Sequence, residues 1–150
     1  MSELDIRRVV ATSLHDLRRR VLRGGDPAAN VTDPRDDEPS ALHFAGVLGE
    51  RVVACASFYP TPSQDHPDAV AYQLRYVATE ADERGRGYAA RLLTVGEEEL
   101  RRRGARILWA NGRDSALGFY RREGWSLVAG SEHLSRETQL PHTRIFKELI

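Results

Sequence analysis

The sequence Arg84-Gly85-Arg86-Gly87-Tyr88-Ala89 is the most informative part of this chain, because it joins an apolar run ending near Thr79 to a helical pattern. Glycines at such a junction let the backbone come close to a bulky group. The first turn of the helix beyond has N–H groups with no partner inside the helix, and the positive end of the helix dipole favours an anion there. Pyrophosphate is the usual occupant of such a site. The stretch therefore predicts that the chain binds a phosphate-bearing cofactor.

Length and composition limit the class of protein. The chain has 150 residues, 41% of them hydrophobic and 29% charged, which predicts one globular domain covering residues 1–150. Its 22 basic and 22 acidic residues cancel, whereas nucleic-acid binders normally have a basic excess, so we expect no nucleic-acid partner and no anionic-membrane partner. No apolar run approaches the ~20 residues of a membrane span, and no signal-peptide pattern is present. With Cys55 as the one cysteine, expected as small core filler, a cytoplasmic protein is the simplest expectation.

Hydrophobic periodicity outlines the elements around the glycine junction. A first helix is expected after Ser13, with Asp16 completing a capping box and Gly24-Gly25 as its stop. The best-supported helix follows Gly87, and a third covers residues 115–123 with Asp114 or Ser115 as its N-cap. The predicted strands cover residues 4–10, 42–47, 52–59, 70–79, 106–110, 125–129 and 143–149, of which the second and third form a β-hairpin.

A dinucleotide fingerprint is an alternative interpretation of the junction, since Gly85-x-Gly87-x-x-Ala90 fits its spacing. In a Rossmann unit, however, the first glycine directly follows the strand and an acidic residue ends the next strand. Here the charged segment 80–83 intervenes, and the next strand ends in Trp109-Ala110-Asn111. A nucleotide-binding oxidoreductase therefore stays an alternative that NAD binding would reveal. A Walker P-loop is excluded because Gly-Lys-Ser/Thr does not occur.

Two motifs together resemble those of the GNAT acetyltransferase superfamily. Arg84, Gly87 and Ala89 match its Gln/Arg-x-x-Gly-x-Gly/Ala motif, and residues 119–125, Phe-Tyr-Arg-Arg-Glu-Gly-Trp, match its aromatic-Tyr-x-x-x-Gly-aromatic run. The resemblance extends from about residue 42 to the C-terminus, and the N-terminal helix and loop are similar to an ElaA-like bacterial branch. It implies an α/β (α+β) fold, with a mixed, mostly antiparallel central sheet flanked by helices.

The resemblance implies acetyl-CoA as co-substrate and no metal. Backbone N–H groups after Arg84 would hold the pyrophosphate, with the charges of Arg84 and Arg86 adding to them. The end of the preceding strand would pair with pantetheine, and a main-chain N–H there would polarise the thioester carbonyl. The residues assigned to the co-substrate are Val77, Ala78, Thr79, Arg84, Gly85, Arg86, Gly87, Tyr88, Ala89, Ala90 and Asn111.

Two residues are candidates for proton transfer. Tyr120 matches the family's general acid, and its alternative role is that of a core aromatic residue. His142 precedes the last predicted strand, where the ElaA-like branch has a similar Pro-His. Its two alternative roles are a general base and an ordinary loop histidine. One departure from the family pattern leaves the base open, because residues 73–79 contain no carboxylate. A second departure lies in the turn before Tyr120, where Arg113 stands at a position that is Asn in many members.

Other polar residues have plainer expectations. The sequence Arg18-Arg19-Arg20 predicts a solvated helix face. The cluster Asp36-Asp37-Glu38 predicts a polar loop that could attract a cationic amine. The remaining histidines are expected at the surface or in loops: His15, His43, His66 and His133.

The function that follows from the resemblance is transfer of acetyl from acetyl-CoA to a primary amine, by direct attack in a ternary complex. A small molecule or a peptide would supply the amine, and a homodimer is left open. Two alternatives remain at this stage: a non-catalytic module that binds or senses acyl-CoA, and an enzyme that transfers a longer acyl group.

Overall fold

A computed structural model describes residues 3–150, which fold into helices and an eight-stranded sheet. The strands are β1 (Asp5–Arg8), β2 (Leu42–Leu48), β3 (Arg51–Pro60), β4 (Ala71–Thr79), β5 (Ile107–Arg113), β6 (Ser126–Leu127), β7 (His133–Leu134) and β8 (Pro141–Glu148). The helices are α1 (residues 11–22), α2 (Tyr88–Arg102) and α3 (Leu117–Arg122), with short 3-10 turns at Ala81–Glu83 and Asp114–Ala116. Within residues 3–150, every helix is too short or too polar to span a bilayer.

The strands lie in the order β1-β2-β3-β4-β5-β8-β6, with β7 paired to β8. The pairs β1–β2, β2–β3, β5–β8, β6–β8 and β7–β8 are antiparallel, whereas β4–β5 is parallel. The α/β class with a mixed, mostly antiparallel sheet is thus confirmed. The predicted β-hairpin is also confirmed, because β2 and β3 pair directly around a turn in which Gly49 has a φ of 63°.

By internal packing the chain divides into two compact units, which are described one at a time. The first contains residues up to 59 together with 74–98, and the second contains residues 60–73 and 99–150. The first unit thus holds β1, α1, the hairpin up to residue 59, the end of β4 and most of α2. The second holds β5 to β8 and α3.

In the first unit the hairpin is covered on both faces. Leu14 and Leu17 of α1 share a buried cluster with Cys55 of β3, which confirms that cysteine as a core residue. Helix α2 approaches so closely at Gly96 that an added Cβ would lie 2.2 Å from the Phe58 ring. Because successive strand residues point to opposite faces, burial on both sides produces the continuous apolar runs seen in the sequence.

The first helix differs from its prediction. It begins at Ala11 as a 3-10 turn, continues as α-helix over His15–Leu17 and ends as a π-helical turn over Arg18–Leu22. The expected capping box is wrong, because the helix starts two residues before Ser13 and makes no side-chain cap hydrogen bond. The expected stop is correct: Gly25 has a φ of 78°, and its N–H donates to the Arg19 carbonyl at 2.9 Å.

In the second unit, β5 is longer than predicted and carries the parallel ladder with β4. That ladder pairs residues 71–73 with 107–109, and β5 then continues to Arg113 against β8. The predicted strand 125–129 is reduced to β6, and β7 was missed because two residues give no periodicity. The expected cap of the third helix is also wrong, because the Asp114 carboxylate accepts a hydrogen bond from the Thr143 hydroxyl at 2.8 Å instead.

Candidate active site

The glycine junction in the first unit forms an open cradle. Gly85 has a φ of 80° and Gly87 a φ of 77°, which is left-handed backbone that side chains rarely adopt. No heavy atom lies within 4 Å of a Cβ built on either residue. The glycines are therefore required for the turn and for a close approach from outside, and not for packing within the protein.

The N-terminus of α2 opens directly from this cradle. The Arg91 N–H donates to the Gly87 carbonyl at 3.1 Å and so begins the helical ladder. The N–H groups of Tyr88, Ala89 and Ala90 precede that bond, and the first turn contains no acidic residue. A fifteen-residue helix that begins this way presents donors and a positive dipole end to an anion.

Two arginines add positive charge to the cradle, and both are exposed. Arg86 also forms an ion pair with Glu83, because its Nε lies 3.4 Å from the Glu83 carboxylate. Arg84 comes directly before the first glycine, in extended backbone with a φ of −68° and a ψ of 157°. The open cradle, the helix donors and the arginines together fit a pyrophosphate group.

The end of β4 has a feature that the sequence does not signal. Tyr76 has a φ of 57°, which is disfavoured for a tyrosine and turns the strand locally. Ala78, two residues later, is buried in the core cluster, while Val77 and Thr79 are half-buried. The ladder with β5 has already ended at Gln73, so Val77, Ala78 and Thr79 lie beyond it.

In the second unit, Tyr120 is buried on α3. Its ring packs edge-on against Trp125 at 5.3 Å between centroids, and Phe119 packs against it at 5.2 Å. Burial raises the pKa of Tyr120 to about 12, although the charge of Arg113 acts in the opposite direction. The phenol is therefore protonated at neutral pH, as a general acid must be, while its packing also accords with a core role.

His142 lies inside β8 and is 9% exposed, so it is not the loop residue of the plainer expectation. Its Nδ1 lies 2.8 Å from the Leu140 carbonyl oxygen. A carbonyl only accepts hydrogen bonds, so Nδ1 is the nitrogen that donates here, and Nε2 is the nitrogen left for another partner. Its cross-strand neighbours are Arg113 on β5 and His133 on β7, whose ring centroid lies 6.0 Å away.

Arg113 connects the two candidates for proton transfer. It faces His142 in the ladder between β5 and β8, and its charge acts on Tyr120. Asn111 lies two residues earlier on the same strand, so it is on the same face as Arg113, and it is exposed. The arginine that departs from the family pattern therefore faces one candidate and acts electrostatically on the other.

The expectation of a solvated arginine face is wrong for Arg18, which is 0% exposed in the first unit. Its guanidinium donates to the Val31 carbonyl, the Asp36 carboxylate and the Ser57 hydroxyl, each at 2.9 Å. Burial opposes its charge, but the hydrogen bond that Arg18 donates to Asp36 prevails and keeps the pKa of Arg18 raised. Charged residues are buried only when they are paired, and the partners of Arg18 are too distant in sequence for its neighbours to reveal them.

Asp36 and His43 also differ from their expectations. Asp36 is 8% exposed and held by Arg18 and by the Tyr59 hydroxyl, so it offers no free charge to attract an amine. Burial opposes its ionised form, but these hydrogen bonds keep the pKa of Asp36 below its usual value. His43, expected at the surface or in a loop, is 4% exposed on β2, with Nδ1 2.7 Å from the Ser57 hydroxyl and Nε2 2.9 Å from the Asp36 carbonyl. Burial lowers the pKa of His43, so its ring is neutral.

Comparison with known proteins identifies the family. Residues 11–125 match the acetyltransferase (GNAT) family, and the chain belongs to that family. It is therefore an acyltransferase that uses acyl-coenzyme A as donor. Among residues 3–150, no group of three or more His, Cys, Asp or Glu side chains is arranged to hold a metal ion.

Individual relatives agree with this assignment. The uncharacterized N-acetyltransferase YitI of Bacillus subtilis (strain 168) is 25% identical over 122 residues, which cover 81% of this chain and 82% of YitI. Escherichia coli ElaA has the same fold with a TM-score of 0.73 and 18% identity, covering 99% of this chain and all of ElaA. An aminoglycoside 6′-N-acetyltransferase complexed with coenzyme A superposes with a TM-score of 0.72 and 15% identity over 97% of both chains.

Proposed function

We propose that this chain transfers an acetyl group from acetyl-CoA to a primary amine, which attacks the thioester directly. The open cradle at Gly85 and Gly87 carries the proposal, because it combines left-handed backbone, free space and a helix N-terminus in a chain of the GNAT family. The relative YitI is named as an N-acetyltransferase, which supports nitrogen as the accepting atom.

In this proposal, the cradle and the end of β4 hold the donor. The N–H groups of Tyr88, Ala89 and Ala90 bind the pyrophosphate, with Arg84 and Arg86 adding charge. The main chain of residues 77–79 pairs with the pantetheine, and one of its N–H groups faces the thioester oxygen. That donor stabilises the negative charge that develops on the oxygen as the amine attacks.

The proposed base and acid are His142 and Tyr120. The Nε2 lone pair of His142 takes a proton from the acceptor ammonium, directly or through a water molecule. The neutral amine then attacks the carbonyl carbon, so that a C–N bond forms and the C–S bond breaks. The phenol of Tyr120 gives its proton to the departing thiolate, and its raised pKa of about 12 keeps that proton available at neutral pH. The attacking nitrogen loses its second proton as the C–S bond breaks, which restores the Tyr120 phenol, and His142 releases its proton to water. The products are an acetamide, free coenzyme A and one proton.

The acceptor we propose is an amine on a small molecule. The aminoglycoside 6′-N-acetyltransferase among the structural neighbours modifies a compound of that class and supports this choice. A peptide amine is the competing acceptor, and a panel that contains both classes separates them.

Calorimetric titration with acetyl-CoA, with NAD as the control ligand, tests the donor. We expect micromolar affinity for acetyl-CoA and none for NAD. Absence of acetyl-CoA binding would overturn the proposal. Tighter binding of longer acyl-CoAs would show that the transferred group is a longer acyl chain. Release of free thiol with an amine panel then distinguishes an enzyme from a module that only binds acyl-CoA, because the module releases none.

A further inference from the structure

We infer that Arg18, Arg75, Asp33 and Asp36, together called the clamp, hold Tyr76 in its left-handed conformation and thereby position the main chain of residues 77–79. This inference rests on the proposed function, in which those residues receive the thioester end of acetyl-CoA. It makes Arg18 a positioning residue in a chain segment distant from the cradle in sequence.

Tyr76 is held through its ring, its hydroxyl and its carbonyl. The guanidinium carbons of Arg18 and Arg75 lie 3.9 Å and 4.5 Å from its ring centroid, within the range of cation–π attraction. Its hydroxyl donates to the Thr32 carbonyl at 3.2 Å, and its carbonyl accepts from the Cys55 thiol at 3.2 Å. The ring and both ends of the residue are therefore fixed within the first unit.

The two arginines are themselves fixed by buried carboxylates. Asp36 accepts from Arg18 at 2.9 Å, and Asp33 accepts from Arg75 at 2.8 Å. Both aspartates are less than a tenth exposed, so each pair is shielded from solvent. Because Asp33 and Asp36 belong to one loop, that loop joins both arginines to the Tyr76 ring.

The cost of this arrangement argues that it has a purpose beyond packing. A tyrosine at a φ of 57° is disfavoured and persists only where its surroundings determine it strongly. The clamp also needs a buried arginine, and Arg18 starts a π-helical turn, a distortion found frequently at functional sites. Two independent irregularities therefore meet at one aromatic ring.

The consequence lies in the residues that follow. A single left-handed residue in a strand bends it and redirects the next main-chain groups, as in a β-bulge. Val77, Ala78 and Thr79 come directly after Tyr76, so the direction of their N–H groups depends on it. Without the clamp, Tyr76 would return to extended backbone and these N–H groups would turn away from their present direction.

The test uses the full-length protein and the double substitution Arg18→Met with Asp36→Asn. This pair removes the cation and its carboxylate together, so it leaves no unpaired buried charge, unlike Arg18→Met alone. We expect a melting temperature above that of the single variant and an acetyl-CoA Kd within about threefold of wild type, because the cradle is intact. We expect kcat to fall by on the order of 10- to 100-fold, as misplacement of a reacting group does, and amide hydrogen exchange at residues 77–79 to become faster.

Arg18→Lys serves as a milder second variant. It keeps the buried ion pair but lacks the planar guanidinium that stacks on a ring while it binds a carboxylate. We expect the same faster exchange and lower kcat. Arg19→Met is the matched control, because Arg19 donates to the carbonyls of Asp26, Pro27 and Ala29 in the same loop. It should leave exchange at residues 77–79 and kcat unchanged.

Each outcome decides the inference. Unchanged exchange and kcat in the double variant, or faster exchange with unchanged kcat, would overturn the positioning role. If both kcat and the melting temperature are low in Arg18→Met and return to wild-type values in the double variant, the clamp is only a structural element. An equal loss of kcat in Arg19→Met would assign the effect to the loop as a whole. If the wild-type protein does not bind acetyl-CoA, the proposed function fails, while hydrogen exchange still tests whether the clamp holds residues 77–79.

Discussion

The guanidinium carbon of Arg18 lies 3.9 Å from the centroid of the Tyr76 ring, although the two residues belong to α1 and β4. This contact joins the π-helical end of α1 to the one residue of β4 that has a positive φ. Arg18 also binds Asp36, so the same guanidinium ties the long loop after α1 to the sheet. Arg18 is therefore a buried cation that links α1, the loop and the sheet of the first unit, whereas the run of three arginines in the sequence predicts that it is solvated.

Gly87→Ala tests the cradle. A side chain at a φ of 77° is strained, so we expect the free energy of unfolding to fall by about 1–3 kcal/mol. We also expect acetyl-CoA to bind at least about tenfold more weakly, equivalent to ~1.4 kcal/mol, because the strained turn shifts the donors after it. Chemical denaturation and calorimetry measure the two effects.

Gly104→Ala is the matched control for that substitution. Gly104 follows α2 with a φ of 82° and has the same open space around a built Cβ. It should lose similar stability while its acetyl-CoA Kd stays at the wild-type value. Equal weakening of acetyl-CoA binding by both substitutions would contradict a pyrophosphate site at Gly87.

Tyr120→Phe tests the general acid. The phenyl ring keeps the packing against Trp125, so the fold and acetyl-CoA binding should be preserved. We expect kcat to fall by about 100-fold, because the thiolate leaves without a proton donor. In wild type, a Tyr120 pKa of about 12 predicts no loss of rate from its deprotonation up to pH 10. A kcat within twofold of wild type would assign Tyr120 to the core alone.

His142→Gln tests the general base. We expect kcat/KM at pH 7 to fall by about 100-fold, because the glutamine amide is not basic enough to take the ammonium proton. The deficit should shrink as pH rises, because more of the acceptor amine is then already neutral. His133→Gln, the cross-strand neighbour, is the matched control and should stay within about twofold of wild type. A deficit for His142→Gln that is constant from pH 7 to pH 9.5 would argue against a role as base.

The buried polar network predicts how stability depends on pH. Burial lowers the pKa of His43 below its ordinary 6.5, so the unfolded chain takes up a proton before the folded one does. The contribution of His43 is therefore complete above pH 6.5 and is lost as pH falls. Asp33 and Asp36 have pKa values below 3.8 because their hydrogen bonds to arginines outweigh burial, so their contribution is lost below pH 3.8 in turn.

Denaturant unfolding from pH 7.5 to pH 3 measures this dependence. We expect the free energy of unfolding to begin falling near pH 6.5 and to fall again below about pH 4. His43→Gln should remove the first decline and keep the second. A wild-type free energy that is constant between pH 7.5 and pH 5 would show that His43 accepts a proton as readily in the folded protein as in the unfolded chain.

The features that could be predicted from sequence are those with a local signature. The junction at Gly85 and Gly87, the hairpin of β2 and β3, and α2 each follow from glycine positions or from periodicity within a short window. Tyr120 and His142 are identified as candidates from short patterns of neighbouring residues in the same way, and their chemical roles stay predictions. The short strands β6 and β7 were not predictable because two residues carry no periodic signal.

The remaining features arise from contacts between distant parts of the chain. Arg18 is an unremarkable member of a run of three arginines until Asp36, Ser57 and Tyr76 come from a loop and two strands to pair with it. His43 is buried because the same group of residues surrounds it, and Tyr76 adopts a positive φ because its neighbours hold it there. Desolvating a charge or straining a backbone costs free energy that only partners from elsewhere in the fold can offset. A sequence window contains none of those partners, so these residues acquire their environment when the chain folds.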